Sequence, residues 1–269
     1  MEGLSKTQIK KALKKERIQD KYRKQKEAKK HKKESIEHVQ VIGEERKEHV
    51  QLILGESTEG IRAIRQERNA MFRADFESQC EAGPVVVIDC DWGEAMSERE
   101  KLSLTQQIMY SYSAIKKSEK PVRLWIVGAS EHQIDLIRKL PGSNTWHVFV
   151  TTKKLHDLGQ EMRSAVYLTA DTEDVLELDS VNSDSVLIIG GIVDRNRFKN
   201  ATLNKAVSLG LKCAQLPIGE FMPLKTSKVL TVNHVVEILV HALDDQDWKS
   251  ALDKVIPDRK RDAPGSGTS

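Results

Sequence analysis

The sequence predicts an α/β fold, in which helices flank a parallel β-sheet, over residues 83–256. Short apolar runs rich in valine and isoleucine alternate there with amphipathic stretches, as they do in chains built of strand–helix units. The runs have the length and the β-branched content of buried strands. A domain of this size is large enough to bury a core of its own. Six strands are predicted, at residues 85–90, 123–127, 146–151, 165–168, 186–189 and 212–216.

Four helices are predicted alongside these strands, at residues 97–117, 131–140, 198–209 and 232–243. Ser97 and Glu100 have the spacing of a capping box at the start of the first helix. Gly210 follows the third helix, and glycine at that position favours a helix end. The fourth helix repeats valine and leucine at helical spacing, which indicates a buried face and predicts a structural role for His234 within it.

The first 82 residues are predicted to be a basic, helical or disordered extension of this domain. Residues 1–33 carry 14 lysines and arginines against 4 acidic residues, whereas the rest of the chain has a net charge of −7. This segment contains good helix formers but too few apolar residues to bury a face. We expect it to contact the phosphates of a nucleic acid, with a solubilising or nuclear-import tail as the alternative. The candidate contacts are Lys10, Lys11, Lys14 and Lys15.

A second basic feature lies in residues 34–79, which are mixed in charge and helix-prone. Arg62, Arg65 and Arg68 recur there at three-residue spacing and would form one basic face of a helix. Arg62 and Arg65 are candidate RNA contacts, with a merely solvated face as the alternative. The chain ends in a tail rich in Gly, Ser and Pro. The predicted divisions are therefore 1–82, 83–256 and 257–269.

The composition argues against several classes of protein. The N-terminus is charged and no apolar run reaches 18 residues, so neither a secretion signal nor a membrane span is expected. The three cysteines are scattered and lack metal-ligand spacing, which favours reduced thiols in a cytoplasmic or nuclear protein. The sequence contains no Gly-x-Gly-x-x-Gly, Walker or Gly-x-Ser-x-Gly motif and no His/Cys cluster that would indicate zinc.

The stretch at residues 185–197 carries the most unusual chemistry. A predicted strand ends there in Gly190 and Gly191, and Asp194 follows three residues later. Adjacent glycines allow the backbone to approach a ligand closely, or to adopt φ angles that other residues avoid. The alternative is a tight turn followed by a solvated acid. Because parallel sheets bind ligands at the carboxyl ends of their strands, this turn is a candidate binding loop.

Eight segments of the chain, in order, match those of a known enzyme family. They read LSKTQIKKALKKE, VVIDCDW, MSEREKLSLTQQIMYSYSA, VYLTAD, IIGGIVDRNRFK, LPIGEF, KVLTVNHVVEIL and DWKSAL. On these motifs the chain resembles the tRNA methyltransferases that modify N1 of the purine at tRNA position 9, a branch of the SPOUT superfamily. The match covers the domain throughout and the basic arm weakly. It departs from the family at residues 34–79 and at Gly219, where the family commonly has Asp or Gln.

The resemblance implies a fold and a cofactor site. In this family the C-terminal part of the domain forms a trefoil knot whose loops bind S-adenosylmethionine, with S-adenosylhomocysteine as the product. General rules of chain connectivity would not predict a knot. The resemblance further implies a monomer that uses no metal. Carried over by motif, the cofactor-binding residues are Leu168, Thr169, Gly190, Gly191, Asn196, Arg197, Thr202, Leu216, Ile218, Leu230, Thr231, Val232 and Asn233.

The resemblance also implies a mechanism and a substrate. Asp194 matches the family's proposed general base, which removes the proton from guanine N1. Asp89 is a possible helper, with a structural role as the alternative. The target base lies in the folded tRNA core and must leave its stack to react. On charge alone, Lys116 and Lys117 are further candidate phosphate contacts. Two other functions stay open: methylation of adenine N1, which has no proton to remove, and a catalytically inactive tRNA-binding scaffold.

Overall fold

A six-stranded parallel sheet organises the second of the two units into which the chain divides. The computed structural model describes residues 58–162, 164–194, 197–222 and 230–257. The boundary between the units falls between Ala70 and Met71, so every strand belongs to the second unit. The strands are β1 (Val85–Asp89), β2 (Arg123–Val127), β3 (Val148–Val150), β4 (Val166–Leu168), β5 (Val186–Gly190) and β6 (Lys212–Ala214).

The sheet has the strand order β3-β2-β1-β5-β4-β6, and all of its pairings are parallel. Val87 of β1 lies opposite Trp125 of β2 on one side and Ile188 of β5 on the other. The chain builds outward from β1 to β3 and then crosses to the other side of β1, where it forms β4, β5 and β6. The predicted parallel α/β sheet is confirmed.

Seven α-helices are described, and four of them correspond to the four predicted helices. Ser97 donates to Glu100 Oε2 from its amide at 2.8 Å and from its hydroxyl at 2.9 Å, as the capping pattern predicts. Gly210 has a φ of +66° after the third predicted helix, which confirms its role as a helix stop. The helices are α1 (Thr58–Ala82), α2 (Glu98–Ile115), α3 (Glu131–Arg138), α4 (Ala201–Ser208), α5 (Ile218–Phe221), α6 (Val232–Asp245) and α7 (Trp248–Val255).

The two faces of the sheet bury separate apolar clusters. On one face, helices α2, α3, α6 and α7 pack against strand residues such as Ile88 and Leu187. The opposite face is smaller, and there Val87 and Tyr167 pack with Ala206 of α4. Strand β1 contributes to both clusters because successive side chains of a strand point to opposite faces. Its position at the centre of the sheet explains why all five of its residues are buried.

The structure differs from the prediction at several element boundaries and at two helices. β6 ends two residues early, at Ala214, and α4 starts three residues late, at Ala201. β3 starts two residues late, because Trp146 stacks on Tyr112 at a centroid distance of 4.6 Å and the His147 amide donates to the Tyr112 hydroxyl. The sequence analysis predicts neither α5, which is a single turn, nor α7. Apolar residues recur in α7 at helical spacing after Asp247, whose side chain caps the helix, so this element could have been predicted.

The predicted extension and tail fall largely on residues that are not described. In the first unit the description covers only the part of α1 up to Ala70. The division into 1–82, 83–256 and 257–269 therefore stays a prediction. Among the described helices, none is long and apolar enough to cross a membrane. Among the described side chains, no group of three His, Cys, Asp or Glu residues is placed to hold a metal ion.

Candidate active site

A cleft opens at the carboxyl ends of β4, β5 and β6, the edge at which parallel sheets bind their ligands. It is open at its mouth, so a small organic molecule can enter it from solvent. Its walls come from the loops after these strands and from the starts of α4 and α6. They combine aliphatic side chains with hydroxyl, amide and carboxylate groups, so the cleft can pack an apolar ring and hydrogen-bond its polar edge.

The turn after β5 approaches its neighbours too closely for a side chain. A Cβ atom on Gly190 would lie 2.6 Å from Cγ2 of Thr202, and one on Gly191 would lie 2.6 Å from the carbonyl oxygen of Asp89. Neither glycine has a positive φ, so the structure favours close approach over an unusual backbone angle as the reason for them. The Gly191 amide also donates to the Asp89 carbonyl at 2.7 Å. The turn is therefore packed against the end of β1.

Asp194 lies in the loop after this turn and lines the cleft. Its Oδ2 accepts a hydrogen bond from the Phe198 amide at 2.9 Å. Its main-chain oxygen accepts from the Arg197 amide at 3.2 Å and from the Arg197 Nε at 3.0 Å. These bonds connect Arg197 and Phe198 to Asp194, and the one from the Phe198 amide orients the carboxylate. The Asp194 side chain is half-buried at the cleft wall.

A salt bridge ties this loop to helix α2. Nη2 of Arg197 lies 2.9 and 3.0 Å from the two carboxylate oxygens of Glu100, and 3.4 Å from the carbonyl oxygen of Ala95. Glu100 also accepts hydrogen bonds from Ser97. The bonds from Ser97, together with the charge of Arg197, lower the pKa of Glu100. The guanidinium of Arg197 is thus directed at α2.

Hydrogen bonds between separate elements hold the other walls of the cleft. The hydroxyl groups of Thr169 and Thr202 lie 2.7 Å apart and join the loop after β4 to the first turn of α4. The buried side chain of Gln107, on α2, accepts from the amide of Val232 at 2.9 Å. Because the first amides of a helix have no partner within it, this bond fixes the start of α6. Helix α2 therefore supports the cleft at two points.

A buried ion pair joins α4 to the end of β1 next to the glycine turn. Asp89 is 0% exposed, and its carboxylate accepts from the hydroxyl of Tyr167 at 2.7 Å and lies 2.8 Å from Nζ of Lys205. Nζ of Lys205 also lies 4.4 Å from the ring centroid of Trp92. Burial, and then the charge of Asp89, raise the pKa of Tyr167 well above its ordinary value, so its hydroxyl stays a donor. Asp89 does not line the cleft, and these contacts favour its structural role over that of a helper in catalysis.

The structure brings most of the candidate cofactor-binding residues together with Asp194. They come from four loops that are far apart in the sequence and meet only when the sheet forms. The candidates that line the cleft are Leu168, Thr169, Gly190, Thr202, Leu216, Ile218, Leu230 and Val232.

Four other candidates lie elsewhere. Gly191 packs against β1, and Arg197 is directed at α2, as described above. Thr231 and Asn233 are hydrogen-bonded to each other at 2.9 Å at the start of α6. None of these four lines the cleft. Asn196 lies outside the described residues.

The cleft also contains residues that the sequence analysis does not single out. Asp171 and Gln215 add a carboxylate and an amide, and Phe198 adds a ring that is 45% exposed. The motif VYLTAD offered a signal for Asp171, since that residue closes it. Phe198 follows directly after a candidate residue but has no polar group to draw attention to it. The remaining walls are formed by Ala170, Ile189, Ile192, Ala201 and Val235.

The described candidates for RNA contact lie on α1 and directly after α2. Arg62 and Arg65 are exposed on α1, and Lys116 and Lys117 are exposed at the end of α2. At 1.5 Å per residue, α2 extends about 24 Å from Glu100 to Lys116, so these two lysines are remote from the salt bridge beside the cleft. The candidates of the basic arm, which are Lys10, Lys11, Lys14 and Lys15, lie outside the described residues.

Comparisons with known proteins place this geometry in a family. The family model described as tRNA (guanine(9)-N(1))-methyltransferase TRM10/TRM10A matches residues 2–261, nearly the whole chain. A curated tRNA (guanine(9)-N1)-methyltransferase from Debaryomyces hansenii is 38% identical over 193 residues, which are 68% of this chain and 53% of the relative. One from Schizosaccharomyces pombe is 34% identical over 221 residues, 73% of this chain and 72% of the relative. The chain thus spans about half the length of the first of these relatives.

Solved structures are similar over the same part of the chain. The crystal structure of the spTrm10 (full length)–SAH complex has a TM-score of 0.58 and 36% identity, and covers 65% of this chain and 98% of that one. A second spTrm10 crystal structure has a TM-score of 0.60 and 34% identity, and covers 65% of this chain and 97% of that one. Sequence and fold therefore agree on the same set of relatives.

Proposed function

The chain belongs to the tRNA (guanine(9)-N(1))-methyltransferase TRM10/TRM10A family, and from this premise we propose that it transfers a methyl group from S-adenosylmethionine to N1 of guanine at position 9 of tRNA. The observation that carries the proposal is the position of Asp194. A carboxylate that accepts a hydrogen bond from the Phe198 amide stands in the wall of a cleft at the carboxyl ends of three strands. Methylation of a ring nitrogen that carries a proton requires a general base to remove that proton.

The cleft has the chemistry that S-adenosylmethionine needs. The aliphatic side chains of Leu168, Leu216 and Leu230 would pack against the faces of its adenine, and the hydroxyls of Thr169 and Thr202 would face its polar groups. When bound, this molecule supplies a methyl group on a positively charged sulfur, and S-adenosylhomocysteine is the product. The relative spTrm10, which is described as a complex with SAH, supports the assignment. The reaction needs no metal ion, since sulfonium is already a good leaving group.

Asp194 serves as the general base in this proposal. Guanine N1 carries a proton at neutral pH, and its electron pair can bond to the methyl carbon only when that proton leaves. The carboxylate of Asp194 would accept the proton as the N–C bond forms and the bond between the methyl carbon and sulfur breaks, and would later release it to solvent. A free carboxylate is a weak base for so weak an acid. Much of the rate enhancement therefore comes from holding N1 beside the methyl group in a reactive geometry.

Contacts with the tRNA backbone come from the basic parts of the chain. The N-terminal arm and the arginines of α1 bind phosphates, which adds affinity without reading sequence. Lys116 and Lys117 would touch RNA well away from the target base, given their distance along α2. Position 9 lies in the folded core of tRNA, so the guanine is turned out of its stack to reach the cleft.

The remaining features of the proposal follow from family membership. The C-terminal part of the domain forms a trefoil knot, and the protein acts as a monomer in the cytoplasm, the nucleus or both. Sedimentation of the full chain alone and with tRNA tests the monomer, and a dimer would contradict it.

The proposed function is tested by methyl transfer from labelled S-adenosylmethionine to unmodified tRNA transcripts. The transcripts carry G, A or U at position 9 and are otherwise identical, and the modified nucleosides are identified by mass spectrometry. We expect 1-methylguanosine from the G9 transcript and no methylation of the U9 control. Methylation of A9 alone would replace guanine with adenine as the substrate. A protein that binds tRNA but neither binds S-adenosylmethionine nor transfers a methyl group would support the scaffold alternative.

A further inference from the structure

An exposed aromatic ring stands at the mouth of the cleft. Phe198 is 45% exposed, yet its side chain forms part of the cleft wall. Aromatic side chains are among the largest contributors to cores and interfaces, and leaving such a ring in water forgoes that stabilisation. We therefore expect a molecule bound at the site to cover this exposed ring.

A hydrogen bond links the backbone that carries this ring to the proposed base. The Phe198 amide donates to Oδ2 of Asp194 at 2.9 Å, so the backbone that bears the ring also orients the carboxylate. The guanidinium carbon of Arg197 lies 5.3 Å from the centroid of the ring, within cation–π range. Arg197 is in turn fixed to Glu100. The ring is thus held from one side by an anchored charge while nearly half of its surface stays open.

The substrate of the proposed reaction brings a matching surface. A purine turned out of the tRNA core has lost its stacking partners, and proteins that bind unstacked bases place them on aromatic side chains. Its N1 atom must come within about 3–3.5 Å of the methyl carbon and close to the Asp194 carboxylate. Any base in that position lies beside Asp194. The Phe198 ring lines the same cleft, on the residue whose amide bonds to the Asp194 carboxylate, so a base bound there shares the cleft with the ring.

We propose that Phe198 is the stacking platform for the flipped purine, and that it positions the base relative to Asp194. This inference rests on the proposed function and adds a residue that contacts the substrate. Stacking on an aromatic side chain does not depend on which base is stacked. Phe198 therefore holds a purine in place, while Asp194 acts only on a base that carries a proton at N1.

The test compares four substitutions of Phe198 in the full chain: to Ala, Leu, Tyr and Trp. The kcat/KM for the G9 transcript and the dissociation constant of S-adenosylhomocysteine are measured for each variant. Loss of one base–aromatic stack predicts a fall in kcat/KM of about 5- to 160-fold for Phe198→Ala. Phe198→Leu falls comparably because it keeps bulk but lacks a π face, whereas Tyr and Trp retain activity. The dissociation constant of S-adenosylhomocysteine stays within about twofold, since the platform is for the base.

Phe149→Ala is the matched control. Phe149 is 44% exposed, on the edge strand β3, and does not line the cleft, so its loss removes a similar ring without touching the site. We expect this variant to keep the wild-type kcat/KM.

Two results would overturn the stacking role: a Phe198→Leu variant as active as wild type, or a fall in cofactor affinity that accounts for the lost activity. The second would assign the ring to the cofactor. Failure of the proposed function gives a different result from both. The wild-type protein would then methylate neither the G9 nor the A9 transcript, and the stacking role of Phe198 would be excluded as well.

Discussion

Arg197 and Glu100 form a salt bridge across 97 positions of sequence, with Nη2 of Arg197 2.9 and 3.0 Å from the two carboxylate oxygens. The bridge connects the loop that bears Asp194 to the first turn of α2. Arg197 belongs to a motif that the sequence analysis assigns to the cofactor, whereas in the structure its guanidinium contacts Glu100 and the ring of Phe198. From these contacts we expect Arg197 to position the loop.

Breaking this bridge should lower activity more than stability. Salt bridges near the surface contribute little to stability, but a small displacement of Asp194 would slow the reaction about 10- to 100-fold. We expect this loss in kcat/KM for Arg197→Met, with little change in melting temperature. Lys249→Met, which breaks the exposed bridge from Lys249 to Asp253, is the control and should leave both quantities unchanged. Unchanged kcat/KM in Arg197→Met would show that the bridge does not position the loop.

The capping contacts of Glu100, together with this bridge, predict how stability changes at acid pH. Hydrogen bonds from Ser97 and the charge of Arg197 lower the pKa of Glu100 in the folded state from its ordinary value of 4.5. The resulting stability is present above that value and is lost as the pH falls through the lowered pKa. Denaturant unfolding from neutral to acid pH should show wild type more stable than Glu100→Gln at neutral pH, and the two converging at the acid end. A difference that is constant over this range would contradict the assignment.

Asp194→Asn tests the general base with little change in structure. The asparagine side chain can still accept from the Phe198 amide through its oxygen, so the turn is kept. Removing a general base should reduce kcat/KM for the G9 transcript by about 100-fold or more, with cofactor affinity unchanged. Any transfer to an A9 transcript should be much less affected, because adenine N1 has no proton to remove. Full methylation of guanine by this variant would exclude Asp194 as the base.

The two glycines of the turn should respond differently to alanine. In Gly190→Ala the closest contact of the new methyl group is Cγ2 of the Thr202 side chain, whereas in Gly191→Ala it is backbone. Both should be destabilised, by about 1–3 kcal/mol for overpacking. Adding Thr202→Ser removes that Cγ2 and keeps the hydroxyl. It should therefore restore the stability of Gly190→Ala but not that of Gly191→Ala. Urea unfolding measures these differences, and equal rescue of both glycine variants would refute the steric explanation.

Lys205 should be needed for stability although it lies outside the cleft. Its ammonium group is the cationic partner of Asp89, which is completely buried. Lys205→Met leaves that carboxylate without its partner and should cost about 3–5 kcal/mol of unfolding free energy. The double variant with Asp89→Asn removes the uncompensated charge and should recover part of the loss. If the double variant were less stable than Lys205→Met, the ion pair would not explain the effect.

Local patterns in the sequence predict those features whose physical cause lies within a few residues. Each strand is a short apolar run, Ser97 and Glu100 are close in sequence, and Gly210 ends its helix where predicted. The cleft loops are predicted from motifs, and eight of the thirteen cofactor candidates line the cleft. Asp194 lines it with them.

The features that escape prediction depend on long-range packing. Nothing near Arg197 indicates that its partner is Glu100, and nothing near Gly191 indicates that its neighbour is the backbone of β1. Both contacts arise only when β5 and α2 pack around the end of β1. Phe198 has no polar group, so only its exposure beside the cleft distinguishes it from a core residue.

The most direct test is a crystal structure of the full chain with S-adenosylhomocysteine. We predict that the ligand occupies the cleft between Leu168, Leu216 and Leu230. Its sulfur should lie on the side of Asp194, and neither its amino-acid part nor its adenine should contact Arg197. A ligand bound elsewhere on the domain, or one whose sulfur is turned away from Asp194, would contradict both the site and the role of its base.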